Sequence, residues 1–168
     1  MAKKVLMVIA PNDFRDEEFF YTKEILEQAG IDVTVVNSTG QPSKSMFGKI
    51  VTPDNNFYNI GTEEYDAIVF VGGQGTTAYF DNMQAHSLAK EFNESGKIVA
   101  AICIAPVILA RAGILSGKKA TVFPSGRNDI NAVGTYTGSN VEEDDNIITA
   151  CGPQAAVDFG KAIVEALK

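Results

Sequence analysis

Apolar positions along this chain follow two rhythms. Continuous runs such as Val5-Leu6-Met7-Val8-Ile9-Ala10, Ala67-Ile68-Val69-Phe70-Val71 and Ile98 to Ile102 are the pattern of strands covered on both faces, as in a parallel sheet. Between them the apolar residues recur at helical spacing. Phe19, Phe20, Ile25, Leu26 and Ala29 predict a first helix opened by Asp16-Glu17-Glu18 and closed at Gly30; Leu88, Ala89 and Phe92 predict another, stopping near Gly96. Ile31 to Val36 is read as a second strand, Ala120 to Phe123 as a short one and Ile147 to Ala150 as the last. Asp129 to Ala132 reads as a helical turn, and Ala156, Phe159, Ile163 and Leu167 form the inner face of a final helix from Gln154 to Leu167.

Strands alternating with helices imply right-handed crossovers and a parallel sheet. The fold expected is α/β: a doubly wound, mostly parallel sheet in a three-layer sandwich, with residues 1–168 as one domain. From Asn37 to Glu64 the pattern breaks, with Gly40, Pro42, Gly48 and Pro53 between short apolar pieces. This stretch predicts a small β-excursion or hairpin around Met46-Phe47 and Ile50-Val51, then a loop through Asn55-Asn56-Phe57.

Composition narrows the function classes. The net charge of −7, with scattered basic residues, argues against nucleic acid as the main partner. The first apolar run follows Met-Ala-Lys-Lys directly and is too short for a signal sequence or a membrane span, so the expected location is cytoplasmic, off the membrane. One histidine, His86, and no Cys-x-x-Cys spacing leave no candidate metal site. In a reducing compartment the two cysteines, Cys103 and Cys151, are not expected to form a structural disulfide.

Cys103 is the main chemical candidate. It stands where the apolar run ending at Ile102 turns into the helix-like Ala105-Pro106-Val107-Ile108-Leu109, which runs to Gly113. A side chain at the apex of so tight a turn needs small neighbours two residues away, and Ala101 and Ala105 supply them; this is the steric logic of a nucleophile elbow. A helix N-terminus behind the thiol favours thiolate, and Pro106 suits the first helical position. A small buried core cysteine would produce the same local pattern.

Two further segments fall at strand C-termini, where open parallel sheets bind ligands. Gly72-Gly73-Gln74-Gly75 can turn backbone N–H groups toward an anion, and one of them paired with the N–H of Ile104 would make an oxyanion hole; a plain strand-to-helix turn explains the glycines equally. The spacing is not the dinucleotide fingerprint, so no nicotinamide cofactor is expected. Glu17 and Glu18 suit a helix start through the dipole alone, and either could instead point inward to the thiol as a proton donor with a raised pKa. The residues by themselves do not choose between them.

Taken together, Gly72-Gly73, the Ala100-Ala101-Ile102-Cys103-x-Ala105-Pro106 elbow, Asp16-Glu17-Glu18-Phe19, Asp129-Ile130-Asn131-Ala132 and Gly152-Pro153 resemble the ThiJ/PfpI superfamily. The resemblance spans nearly the whole chain. It implies a flavodoxin-like fold related to class I glutamine amidotransferases, Cys103 as nucleophile, Glu18 as the carboxyl contacting it, the Gly73 and Ile104 amides as oxyanion site, and a homodimer. Three positions depart from the pattern. Ile104 replaces the histidine that follows the cysteine in PfpI-type peptidases, Phe123 stands where another branch carries histidine, and Cys151 replaces an arginine before Gly-Pro, bringing a second thiol toward the pocket.

The activity this implies is cofactor-free chemistry on small reactive carbonyls, of glyoxalase or deglycase type, through a Cys103 thiolate assisted by Glu18. The first alternative is a redox-sensing or stress-protective protein in which an oxidant takes Cys103 to sulfinic acid and Glu18 bonds the product, with resolution of a sulfenic acid by Cys151 as a variant if that thiol is within reach. A PfpI-type peptidase is weakened by Ile104, since His86 lies among polar neighbours at a helix start. An inert pocket is the fourth reading. Met46-Phe47 and Phe57-Tyr58, in irregular segments, are expected to be exposed unless subunits associate.

Overall fold

The computed structural model describes residues 1–168. In chain order its strands and helices are β1 (Lys4–Val8), β2 (Asn12–Phe14), α1 (Asp16–Gln28), β3 (Asp32–Asn37), β4 (Ser43–Ser45), β5 (Ile50–Val51), β6 (Asn55–Asn56), β7 (Ala67–Phe70), α2 (Met83–Glu94), β8 (Ile98–Ile102), α3 (Pro106–Arg111), β9 (Lys119–Ala120), α4 (Arg127–Asn131), β10 (Thr135–Tyr136), β11 (Val141–Asp144), β12 (Ile147–Ala150) and α5 (Ala156–Ala166). Seven strands form the main sheet in the order β11-β12-β8-β7-β1-β3-β6, parallel except for the antiparallel edge pair β11–β12. The expected doubly wound α/β sandwich is the one observed.

Both faces of the sheet are buried. Leu6, Val8 and Ala10 pack on one side with Leu88 and Phe92 of α2 and Val107 and Leu109 of α3. Val5, Met7 and Ile9, one residue out of step, pack on the other with Phe19 and Leu26 of α1 and Phe159 and Ile163 of α5. That alternation is why the strands read as unbroken apolar runs. Helix α1 ends as expected: Gly30 has φ +80° and Ile31 N–H donates back to Leu26 O, which closes the last turn.

Several local expectations change. Asn55–Asn56 is not a loop but the edge strand β6, invisible to hydrophobicity because Asp54 docks it: Val35 N–H donates to Asp54 Oδ2 at 2.8 Å and Asp54 N–H to Val35 O at 2.7 Å. The hairpin in the irregular stretch pairs β4 with β5, so Met46-Phe47 is its tip rather than a strand. Phe57 is fully buried against Tyr79 and Met46 is half-buried, which leaves only Phe47 and Tyr58 of those four exposed.

The strand read at Ala120 to Phe123 shrinks to β9, paired with β10 outside the main sheet. Thr121 takes its partners from Thr149 Oγ1 and Ser139 O instead of a ladder. Strand β11 carries Glu142, Glu143 and Asp144, and this acidic composition, which discourages edge pairing, hid it from a hydrophobicity reading. No helix is long and apolar enough to cross a membrane.

Chain order places β3 and β6 on one side of β1 and β7, β8 and β12 on the other, so strand order reverses between β1 and β7. The crevice beyond their C-terminal ends is where such folds bind ligands. There the turn after β7 passes under β2: a Cβ at Gly75 would overlap the Asn12 carbonyl oxygen and lie 2.7 Å from its carbon. Gly75→Ala is therefore expected to destabilise the protein by about 1–3 kcal/mol or more, read as a lower midpoint in chemical denaturation.

Candidate active site

Strand β8 delivers Cys103 to the crevice in a strained turn. Its φ is +65°, rare for a residue with a side chain and costing on the order of 1–3 kcal/mol. Two backbone bonds hold it there: Cys103 N–H donates to Ala150 O at 2.8 Å and Phe123 N–H donates to Cys103 O at 2.7 Å. Ala101 and Ala105 are fully buried, as the elbow requires, and α3 begins at Pro106.

The first turn of α1 sends its three carboxylates in three directions. Glu17 turns out to Arg15, whose Nε donates to Oε1 at 3.1 Å and whose second terminal nitrogen lies 2.9 Å from Oε2. Asp16 is nearly buried and accepts from Ser45 Oγ at 2.6 Å and Phe47 N–H at 3.1 Å, which ties the hairpin tip to the helix. Glu18 is 0% exposed and turns inward to Cys103, so the choice left open between Glu17 and Glu18 falls to Glu18.

Gly72 makes that meeting sterically feasible. A Cβ at this position would lie 2.7 Å from Cys103 Cβ and from Ile102 O, and closer still to Glu18 Oε1. Gly73 follows with φ +116°; its own Cβ would strike the backbone between Asp13 and Arg15, 2.8 Å from the Phe14 carbonyl carbon. Threaded there, the amide of Gly73 and that of Ile104 both face the Cys103 sulfur. Of the six residues singled out from the sequence, Glu18, Gly72, Gly73, Cys103 and Ile104 come together here, and Cys151 does not line the cavity.

Electrostatics at the pair run against one expectation. Burial raises the Glu18 carboxyl to about 8, only partly opposed by the Cys103 thiol and the Gly72 amide. The thiol is also raised, by burial first and by negative charge on Glu18 second, while the amides of Ile104 and Gly73 pull it down. The helix terminus was expected to favour thiolate; here loss of water outweighs it. Side by side, Glu18 and Cys103 titrate as a coupled pair: both hold their protons below about 8, and ionising Glu18 makes the thiol harder to ionise.

The thiol opens onto a cavity of about 380 Å³ with Met46, Ile104, Phe123 and Pro153 as its apolar wall. Arg15 is the only charged residue lining it, and its guanidinium sits 4.9 Å from the Phe47 ring. Arg15 was missed in the sequence, although it stands directly before the acidic triplet. Cys151 lies outside the lining: its sulfur is 3.5 Å from Asn140 Oδ1 and 3.4 Å from Gln154 Nε2, and both cysteines are free. His86 also lies outside it, half-buried, with Nε2 2.6 Å from Phe80 O.

Comparison with known proteins places this arrangement. A model of the DJ-1/PfpI family matches residues 3–166. An uncharacterised protein of Methanocaldococcus jannaschii is 43% identical over 98% of this chain and 82% of its own. A deglycase of Pyrococcus horikoshii is 32% identical over 98% of this chain and 99% of its own, and a glutathione-independent glyoxalase of Caenorhabditis elegans is 28% identical over 99% and 89%. Among solved structures, a ThiJ/PfpI domain protein from Brachyspira murdochii superposes with a TM-score of 0.96 at 33% identity, covering 99% of this chain and 96% of its own.

Two outcomes follow for stability. Glu18 keeps its proton in the folded protein up to about 8, whereas the unfolded chain releases it near the ordinary carboxyl value of 4.5. Stability from this group therefore falls as pH rises through that window. Glu18→Gln is expected to melt above wild type at the top of the window, with the difference shrinking toward its bottom, in thermal scans across pH. Gly72→Ala is expected to lose about 1–3 kcal/mol in denaturant melts, because the added carbon meets backbone as well as Glu18.

Proposed function

The chain belongs to the DJ-1/PfpI family, and from that premise we propose that it is a cysteine-dependent enzyme acting on small reactive carbonyls. The observation carrying this reading is the buried acid against a thiol over Gly72, with two backbone amides at the sulfur and an open cavity in front. Relatives named deglycase and glyoxalase support the reaction class.

Cys103 sulfur adds to the carbonyl carbon of an aldehyde. The C–S bond forms as the C=O π pair moves to oxygen, and the thiol's proton reaches that oxygen through Glu18, giving a neutral hemithioacetal. The Gly73 and Ile104 amides steady the oxygen while it carries charge. For a 2-oxoaldehyde, Glu18 as carboxylate removes the proton from the former aldehyde carbon. Its return to the neighbouring carbon leaves a 2-hydroxy thioester, and water cleaves this to a 2-hydroxy acid and free Cys103. The net change is addition of one water, with no outside oxidant or reductant.

Two other readings carry less. Burial holds the thiol in its neutral form, which slows oxidation, and Cys151 is engaged outside the pocket rather than poised to resolve a sulfenic acid. A Cys-His peptidase has no histidine in the cavity lining.

Methylglyoxal consumption tests the proposal. Wild type is expected to turn over, Cys103→Ser to lose the activity by at least a hundredfold, and the wild-type rate to rise as pH approaches about 8, where Glu18 becomes the carboxylate that removes the carbon-bound proton. Equal rates for wild type and Cys103→Ser would overturn it.

A further inference from the structure

Only three buried side-chain nitrogen or oxygen atoms in this protein make no well-aligned hydrogen bond: both carboxyl oxygens of Glu18, which the Cys103 thiol and the Gly72 amide approach, and the hydroxyl of Thr22. Buried polar groups elsewhere are served, as Ser45 is by Asp16, Asn37 by Ser43 and Thr121 by Ser139. Unpaired buried polar atoms are costly and rare, so their concentration on two residues calls for a cause.

Glu18 and Thr22 lie one turn apart on the inner face of α1, and both are 0% exposed. At that spacing their Cβ atoms are about 5–6 Å apart. Side chains on a helix lean toward its N-terminus, so Thr22 leans toward Glu18. A helical threonine ordinarily bonds the carbonyl four residues back. Thr22 does not, and its hydroxyl is left for another partner. An internal water needs about two to four polar contacts, which these atoms provide. The aromatic and aliphatic side chains on this side of the sheet, Met7, Phe159 and Ile163 among them, offer none.

We propose that Thr22 is a positioning residue for Glu18: one internal water, accepting from the Thr22 hydroxyl and donating to a Glu18 carboxyl oxygen, fixes the carboxyl behind Cys103 and steadies its ionised form. Once the coupled pair has lost its first proton, a bond that favours the carboxylate leaves the remaining proton on the sulfur. The other groups bearing on Glu18 are Arg15 and Glu17 from the helix entrance, the Gly72 amide from the turn after β7 and the Cys103 sulfur from the elbow. None of them reproduces this bond, since none approaches from the next turn of α1. The inference rests on the Glu18–Cys103 pair of the proposed function, not on which carbonyl is consumed.

Alkylation of Cys103 by iodoacetamide, followed by peptide mass spectrometry from about pH 6 to about pH 10, tests it without requiring turnover. Thr22→Val keeps the side chain's shape and removes the hydroxyl; Thr22→Ser keeps the hydroxyl and loses a methyl. In Thr22→Val the midpoint of the alkylation profile is expected to move up by about one pH unit and the plateau rate to rise about tenfold, while Thr22→Ser follows wild type. A Thr22→Val profile identical to wild type would overturn the inference, as would a profile altered in Thr22→Ser alone, since that would mark a packing role for the methyl. Failure of methylglyoxal turnover alongside the expected alkylation shifts would overturn the carbonyl chemistry and uphold the role of Thr22.

Discussion

One missing carbon at Gly72 is the constraint on which the site depends. The turn after β7 runs between the first turn of α1 and the elbow after β8, and a side chain there would hold the acid and the thiol apart. With only a hydrogen in the way, Glu18 reaches Cys103 and the backbone stays close enough for the Gly73 amide to face the sulfur. The sheet order makes this contact a consequence of topology, because β1, β7 and β8 are neighbours and their C-terminal ends open into the same crevice.

Burial then decides the chemistry of the pair. A fully exposed acid would be ionised at neutral pH and an exposed thiol mostly neutral; enclosed together both keep their protons until about 8, and small hydrogen bonds determine where the first charge then rests. Two amides act at the sulfur and one at the carboxyl. Such a balance suits addition to a carbonyl, in which the sulfur must gain an electrophile and the oxygen a proton within the same encounter.

Much of this was legible in the sequence because the signals are local. The elbow announces itself through Ala101, Ala105 and Pro106, and the glycine turn through Gly72-Gly73. Glu18 was separated from Glu17 only by resemblance until the fold showed which carboxyl turns inward. What escaped was non-local. The expected thiolate neglected the desolvation that α1 imposes from a distant part of the chain. Arg15 looks like one more charge in a charged segment, and Thr22 like an ordinary helical position. The strands β6 and β11 are built from asparagines and acids whose pairing is specified by neighbours rather than by hydrophobicity.

The bond from Asp16 to Ser45 has a consequence for how this scaffold can diversify. It anchors a short hairpin whose tip puts Met46 in the cavity wall and the Phe47 ring beneath Arg15, while Glu18, Gly72 and the elbow come from other segments of the chain. The part of the molecule that selects what enters is thus modular with respect to the part that reacts. Selection can redraw the entrance by lengthening or exchanging a few hairpin residues, leaving an unaltered reactive centre to meet new compounds.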